Sequence, residues 1–188
     1  MDTPELLPDG PDLVARLEAW LAAARTAEAA SGRARERWLR QAAGEEATFA
    51  GVLLDLAERR APVIVQGRAG RRHRGVVRAV GTDFCGLRTP NGRDVLLTHS
   101  GIAAVRPEGR ADVAVGDRPV AVDIGIAEAL AAISADRPRV LVVTMADADG
   151  VAGELRAVGR DVLTVRLDGS GRGTVYVPLV SVAEVSLV

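Results

Sequence analysis

The chain of 188 residues contains no lysine, and all 24 of its basic residues are arginine. A Walker-type phosphate loop, a Schiff-base enzyme and a protein kinase each require a lysine, so those classes are excluded. Cysteine is nearly missing as well. The single Cys85 forbids an internal disulfide and fits a reducing compartment. Two histidines and one cysteine cannot fill a tetrahedral zinc site. No run of about 18 apolar residues is present, which argues against a membrane span. The opening MDTPELLPDG is acidic where a secretory leader is basic and then apolar. The expectation is a cytoplasmic protein that does not enter a membrane. Its alanine, valine, glycine and arginine usage looks like that of a high-GC bacterial genome.

Hydrophobic residues make up 48% of the chain, a normal share for a globular protein. The net charge of −1 conceals an uneven distribution. Residues 57–110 hold 11 arginines against four acids, whereas residues 1–56 hold six against ten and residues 117–188 hold seven against ten. One segment is basic and its neighbours are acidic.

Asp9-Gly10 before Pro11 marks a helix start. Leu13, Leu17, Trp20, Leu21 and Ala24 then recur with the spacing of an amphipathic stripe, which Ser31-Gly32 is expected to end. A second helical stretch runs from about 33 to 59, with Trp38, Phe49, Leu53 and Leu56 on one side. Residues 11–59 therefore read as a helical hairpin or bent pair, with Trp20 and Trp38 expected in the core. From Ala61 the texture changes to short valine-rich runs between glycine-bearing turns, the signature of antiparallel strands. The expected strands are 62–67, 73–80, 84–89, 94–99 and 102–106.

The pattern then repeats. Gly75-Val-Val-Arg-Ala-Val-Gly-Thr-Asp83 recurs 78 residues later as Gly153-Glu-Leu-Arg-Ala-Val-Gly-Arg-Asp161, with six identities in nine positions. LAERRAPVIV precedes the first copy and ISADRPRVLV the second, and DVLLTHSGIAAVRP aligns with TVYVPLVSVAEVSL. Each unit reads as a helix followed by five strands. Such a unit can close into a small barrel, which removes exposed strand edges. The expected fold class is α+β: a helical segment (1–48), a basic barrel (49–110), a connector (111–123) and an acidic barrel (124–188), each barrel being small, five-stranded, antiparallel and headed by a helix.

Gly75, Asp83-Phe84 and the segment VLLTHSGIAAVRP give the first copy a pattern that resembles the Sm-like family, the helix-plus-five-strand barrels that include bacterial RNA chaperones. The segment is similar to the Tyr-Lys-His-Ala-Ile-Ser-containing final hairpin of those chaperones. The resemblance spans roughly residues 50–108 and, more faintly, 124–188. It implies that His99 lies where the family contacts uridine and that Phe84 matches the base-stacking aromatic. Three departures stand beside it: Gly75 to Asp83 is two residues longer than the usual spacing, Thr98 replaces a lysine beside the histidine, and Leu179 stands in the second copy where His99 stands in the first. SH3-like modules that bind proteins share the same strand order of signals. Both the resemblance and the ligand it implies depend on each half curling into its own barrel.

The candidate nucleic-acid contacts are Arg68, Arg71, Arg72, His73, Arg74, Arg78, Phe84 and His99. Arginine binds phosphate bidentately and stays charged at any working pH. The alternative is a solvated rim or a docking face for the acidic segments. Strand alternation places Arg74 and Arg78 on one side of their strand. Phe84 is the only aromatic in the basic unit, so binding is expected to be electrostatic more than base-stacked.

Catalytic motifs are not found. No carboxylate is placed by motif to orient His99 beside Ser100 or Cys85. Asp147 to Gly150 begins like a calcium loop, but its glycine is at position 4 and Val158 is at position 12, so it reads as a hairpin turn. Gly169 to Gly173 joins strands and leads into no helix, which removes a dinucleotide reading. The chain is therefore expected to be non-enzymatic, without metal or cofactor, and to bind RNA or another polyanion. The alternative is a scaffold that binds a protein partner or forms a homo-oligomer.

Overall fold

The computed structural model describes residues 13–109, 116–118, 123–146, 148–169 and 173–188. The chain divides into two units, Met1–Glu45 and Glu46–Val188. In the first, α1 is one helix over Leu13–Glu45. It passes through Ser31-Gly32 without a break, correcting the expected hairpin. Alanine, arginine and glutamate on both sides are strong helix formers, and one interior glycine costs only about 1 kcal/mol. Trp20 and Trp38 are each 66% exposed, so neither belongs to a core. The expected start at Asp9-Gly10-Pro11 lies outside the described residues.

The second unit begins with α2 (Phe49–Glu58), capped by Thr48, whose Oγ1 accepts the Gly51 N–H at 3.0 Å. Leu53 and Leu56, three residues apart, bury one face of it. Each full burial contributes about 2 to 3 kcal/mol. Strands β1 (Pro62–Gly67), β2 (Arg72–Val80), β3 (Phe84–Arg88), β4 (Asp94–Thr98) and β5 (Ile102–Pro107) follow, each within one residue of its expected bounds. The second copy supplies α3 (Ile126–Ser134), β6 (Arg139–Thr144), β7 (Val151–Val158), β8 (Val162–Leu167), β9 (Thr174–Pro178) and β10 (Val182–Leu187). Among the described residues, no helix is long and apolar enough to cross a membrane.

The duplication extends to fine geometry. A Cβ on Gly75 would lie 2.4 Å from the Arg88 carbonyl oxygen, and one on Gly153 would lie 2.2 Å from that of Arg166. Only glycine permits that approach between β2 and β3, or between β7 and β8. Each long strand shifts register at the same place, between Val77 and Ala79 and between Leu155 and Ala157. Both helices leave through an arginine with positive φ, Arg60 at 50° and Arg137 at 49°.

The two halves are nevertheless not separate barrels. The ten strands form one antiparallel sheet in the order β5-β1-β2-β3-β4-β10-β6-β7-β8-β9. This overturns the expected pair of closed five-stranded barrels and removes the support that closure lent to the family resemblance. At the seam, β4 pairs with β10 from the other half, setting Glu184 opposite Leu97, Val185 opposite Leu96 and Ser186 opposite Val95. Thr98 Oγ1 donates to the Val182 carbonyl at 2.9 Å, and Gly101 leaves room for the Ala183 carbonyl. A strand's alternation decides which face it buries but leaves its pairing partner open.

One core joins Leu53 and Leu56 to Val63, Val65, Val77 and Leu87. The other joins Ile126 and Leu130 to Val140, Leu155, Leu163 and Val185, and it takes in Phe84 from β3. The seam also caps α3. Its N-cap, Gly125, has no side chain to accept the first helical N–H groups. Asp83, from the first half, supplies the acceptor, with Oδ1 2.7 Å from the Ile126 nitrogen. Glu128 returns to the Gly125 N–H at 3.3 Å.

Candidate polyanion-binding face

Strand β2 and the turn before it carry most of the expected contacts. Arg68 lies in that turn with an exposed side chain, while its backbone N–H donates to Gly101 O at 2.8 Å. Arg72 is exposed and donates to Gln66 Oε1 at 3.0 Å. Arg74 and Arg78 project from the outer side of β2, as alternation requires, while Gly75 and Val77 face the core. Val76 lies between them and pairs with Arg88 on β3. Arg74, Val76, Arg78, Arg88, Thr89 and Pro90 line a groove of about 430 Å³.

Arg78 also lines a second groove of about 290 Å³ beside Arg60 and Glu58. No acidic partner of Arg78 is found among the described residues. Its neighbours are partly neutralised: Arg74 Nε lies 2.7 Å from Glu108, Arg88 pairs with Asp94, and Glu58 is held by Arg118. The hydrogen bond to Asp94 holds the Arg88 pKa above its ordinary value. Arg78 thus joins two open concavities as an uncompensated cation.

The remaining candidates lie elsewhere. Arg71 and His73 turn toward the seam and meet Glu184. Its Oε2 is 2.6 Å from His73 Nε2, and its Oε1 is 2.7 Å from Arg71 Nε, close enough for an ion pair though poorly aligned for a hydrogen bond. Phe84 is buried in the second core and presents no open ring. His99 is half-buried, its ring edge-on to Phe49 at 5.6 Å between centroids. Burial pushes its pKa below the ordinary histidine value, against the smaller opposing pull of Asp83 and a hydrogen bond with the Phe84 backbone.

Glu184 and Arg88 belong to this region and were not singled out from sequence. Glu184 stands opposite Ala104 in the repeat, and that charged departure between the copies was the available signal. The hairpin turn at Asp147 to Gly150 and the loop at Gly169 to Gly173 include residues 147 and 170–172, outside the described residues.

The grooves offer planar guanidinium donors and no paired nucleophile and base. Cys85 is fully buried, and burial pushes its thiol up to about 12. Among the described residues, no three His, Cys, Asp or Glu side chains are grouped so as to hold a metal ion. Comparison with protein-family models, curated proteins and solved structures gives no match.

Proposed function

We propose that the protein is a non-catalytic polyanion-binding module, that it takes a phosphate chain such as RNA, and that it does so along the arginine face of β2 and β3. The observation that carries this reading is Arg78, which has no acidic partner among the described residues and lines both grooves. A guanidinium in that position gains two charge-assisted hydrogen bonds from one phosphate. Arg60, Arg74 and Arg88 extend the row, and Arg68 and Arg72 flank it on the β1–β2 side. With Phe84 buried, contacts go to the backbone of the ligand, so little sequence preference is expected.

The test is fluorescence polarisation with labelled oligo-uridylate. Three to four phosphate contacts predict that log K falls against log salt with a slope of roughly −2 to −3. Arg78→Ala is expected to weaken binding about tenfold, the loss of one charged hydrogen-bonding group. No retention of the oligonucleotide at low salt would overturn the reading.

A structural scaffold is the second reading, favoured by the way Arg71 and His73 are spent on Glu184 inside the chain. It predicts no polyanion binding at any salt concentration.

A further inference from the structure

Both tryptophans of the chain lie on α1, in the steps Trp20-Leu21 and Trp38-Leu39, 18 residues apart. Eighteen residues make five full turns, so the two steps share one face and stand about 27 Å apart along the axis. That face is uncovered. Leu17, Trp20, Trp38 and Leu39 are each more than half exposed, and apolar surface left in water is unfavourable. We propose that a second copy of this chain covers it, the two α1 helices packing side by side and antiparallel about a two-fold axis at residue 29. The proposal does not rest on polyanion binding.

Counted in sevens, Leu17, Ala24, Ser31 and Trp38 form one row, and Trp20, Ala27, Ala34 and Gln41, three residues after each, form another. These are the two rows of a coiled-coil seam. Reversing a second copy about residue 29 sets Leu17 opposite the partner's Gln41, Trp20 opposite its Trp38, Ala24 opposite its Ala34 and Ala27 opposite its Ser31. Every layer then joins one row to the other. Small side chains in the middle suit helix axes about 8 to 10 Å apart, and a tryptophan pair closes each end of the seam. The two indoles of one helix can bury roughly 300 to 500 Å² of the roughly 800 Å² per partner that a stable contact needs.

Charge selects the antiparallel arrangement. Over 17–29 the helix carries Glu18 and Glu28 against Arg25, and over 30–45 it carries Arg33, Arg35, Arg37 and Arg40 against Glu36 and Glu45. A parallel pair would lay four arginines beside the same four, whereas the reversed pair lays them beside the acidic half. Glu28 and Arg35 are the two charges inside the apolar face. Helical side chains lean toward their own N-terminus, so in the reversed pair Glu28 and the partner's Arg35 lean toward each other. A lipid surface also receives exposed tryptophans, but it offers the carboxylate of Glu28 no counter-charge.

Light scattering of the full chain across a dilution series is expected to reach two chain masses, falling to one in the double variant Trp20→Gln with Trp38→Gln, both sites being exposed. Disulfides read the orientation. Ala24→Cys and Ala34→Cys proteins, mixed and oxidised, are expected to link to each other and neither to itself, since residue 24 lies about 15 Å from its own copy along the axis of the reversed pair. A wild type that stays at one chain mass at every concentration overturns the proposal, and a blue shift of its tryptophan emission on anionic phospholipid vesicles would then give the face to a membrane. A dimer that survives both glutamines uses another surface and overturns it too. So does a mixture that does not link, or an Ala24→Cys protein that links to itself, which makes the helices parallel. Oligo-uridylate binding is measured separately, so either reading can fail alone.

Discussion

Nε2 of His73 lies 2.6 Å from Oε2 of Glu184, although 111 residues separate them. Glu184 is 2% exposed and Arg71 approaches its other oxygen, so a carboxylate buried in the seam is held by two groups from the opposite half. Desolvating a carboxylate costs several kcal/mol and is offset only while both partners remain.

Glu184→Gln is therefore expected to lower the unfolding free energy by about 2 to 4 kcal/mol, somewhat less than the roughly 3 to 5 of a fully buried pair because Arg71 reaches solvent. Urea denaturation measures it. Replacing all three together, Glu184→Leu, His73→Leu and Arg71→Leu, should recover most of the loss. A neutral Glu184→Gln would mean that the triad carries no stability.

The two close-approach glycines should behave alike. Gly75→Ala and Gly153→Ala each force a methyl against a carbonyl oxygen, of Arg88 and Arg166, and are expected to cost about 1 to 3 kcal/mol. Gly32→Ala is the opposite case, because nothing lies within 4 Å of its Cβ position. It should raise the helical signal in far-UV circular dichroism, by up to about 1 kcal/mol of helix stability.

Cys85 should resist thiol reagents. Its thiol is pushed up to about 12 by burial, so the thiolate is scarce at neutral pH. Colour release from a disulfide reagent is expected to be negligible in buffer and complete in denaturing urea. Rapid native labelling would show that the first core opens readily.

His99 gives the fold a pH dependence whose sign follows from its burial. Its folded pKa is below the ordinary value of 6.5, so the unfolded chain binds the proton more readily. Stability should fall as pH drops through about 6.5 toward the folded value and be flat above it. Melting temperatures compared across that range should fall less steeply with decreasing pH in His99→Gln than in the wild type, and equal slopes would show that the histidine contributes nothing.

Asp83→Ala removes the acceptor at the head of α3, where Gly125 cannot replace it. The expected cost is about 1 kcal/mol, typical of a lost N-cap. Asp83→Asn retains an acceptor oxygen and should cost less. Thermal unfolding distinguishes the two, and equal losses would assign the effect to the charge alone.

Strand positions in the first half were legible because glycine and proline turns punctuate short valine runs, and each of β1 to β5 lies within one residue of its expected bounds. The nine-residue repeat was equally legible, down to the glycines that admit a carbonyl. The pairing of Arg74 and Arg78 on one side of β2 followed from alternation alone. Ser31-Gly32 misled because one weak helical position is outweighed by strong neighbours. Trp20 and Trp38 misled because a stripe on a helix does not reveal whether anything packs on it. Phe84 and His73 drew attention as exposed recognition groups, yet both face the seam.

The sequence alone determined the strands of the first half, the duplication and the basic middle segment, because these depend on neighbours close along the chain. Tertiary structure alone decided that β4 meets β10, that Asp83 caps a helix 43 residues away and that Glu184 takes up Arg71 and His73. The physical reason is that every strand edge offers the same backbone donors and acceptors. Which edge it joins is settled only when whole faces, and the charges on them, are brought together.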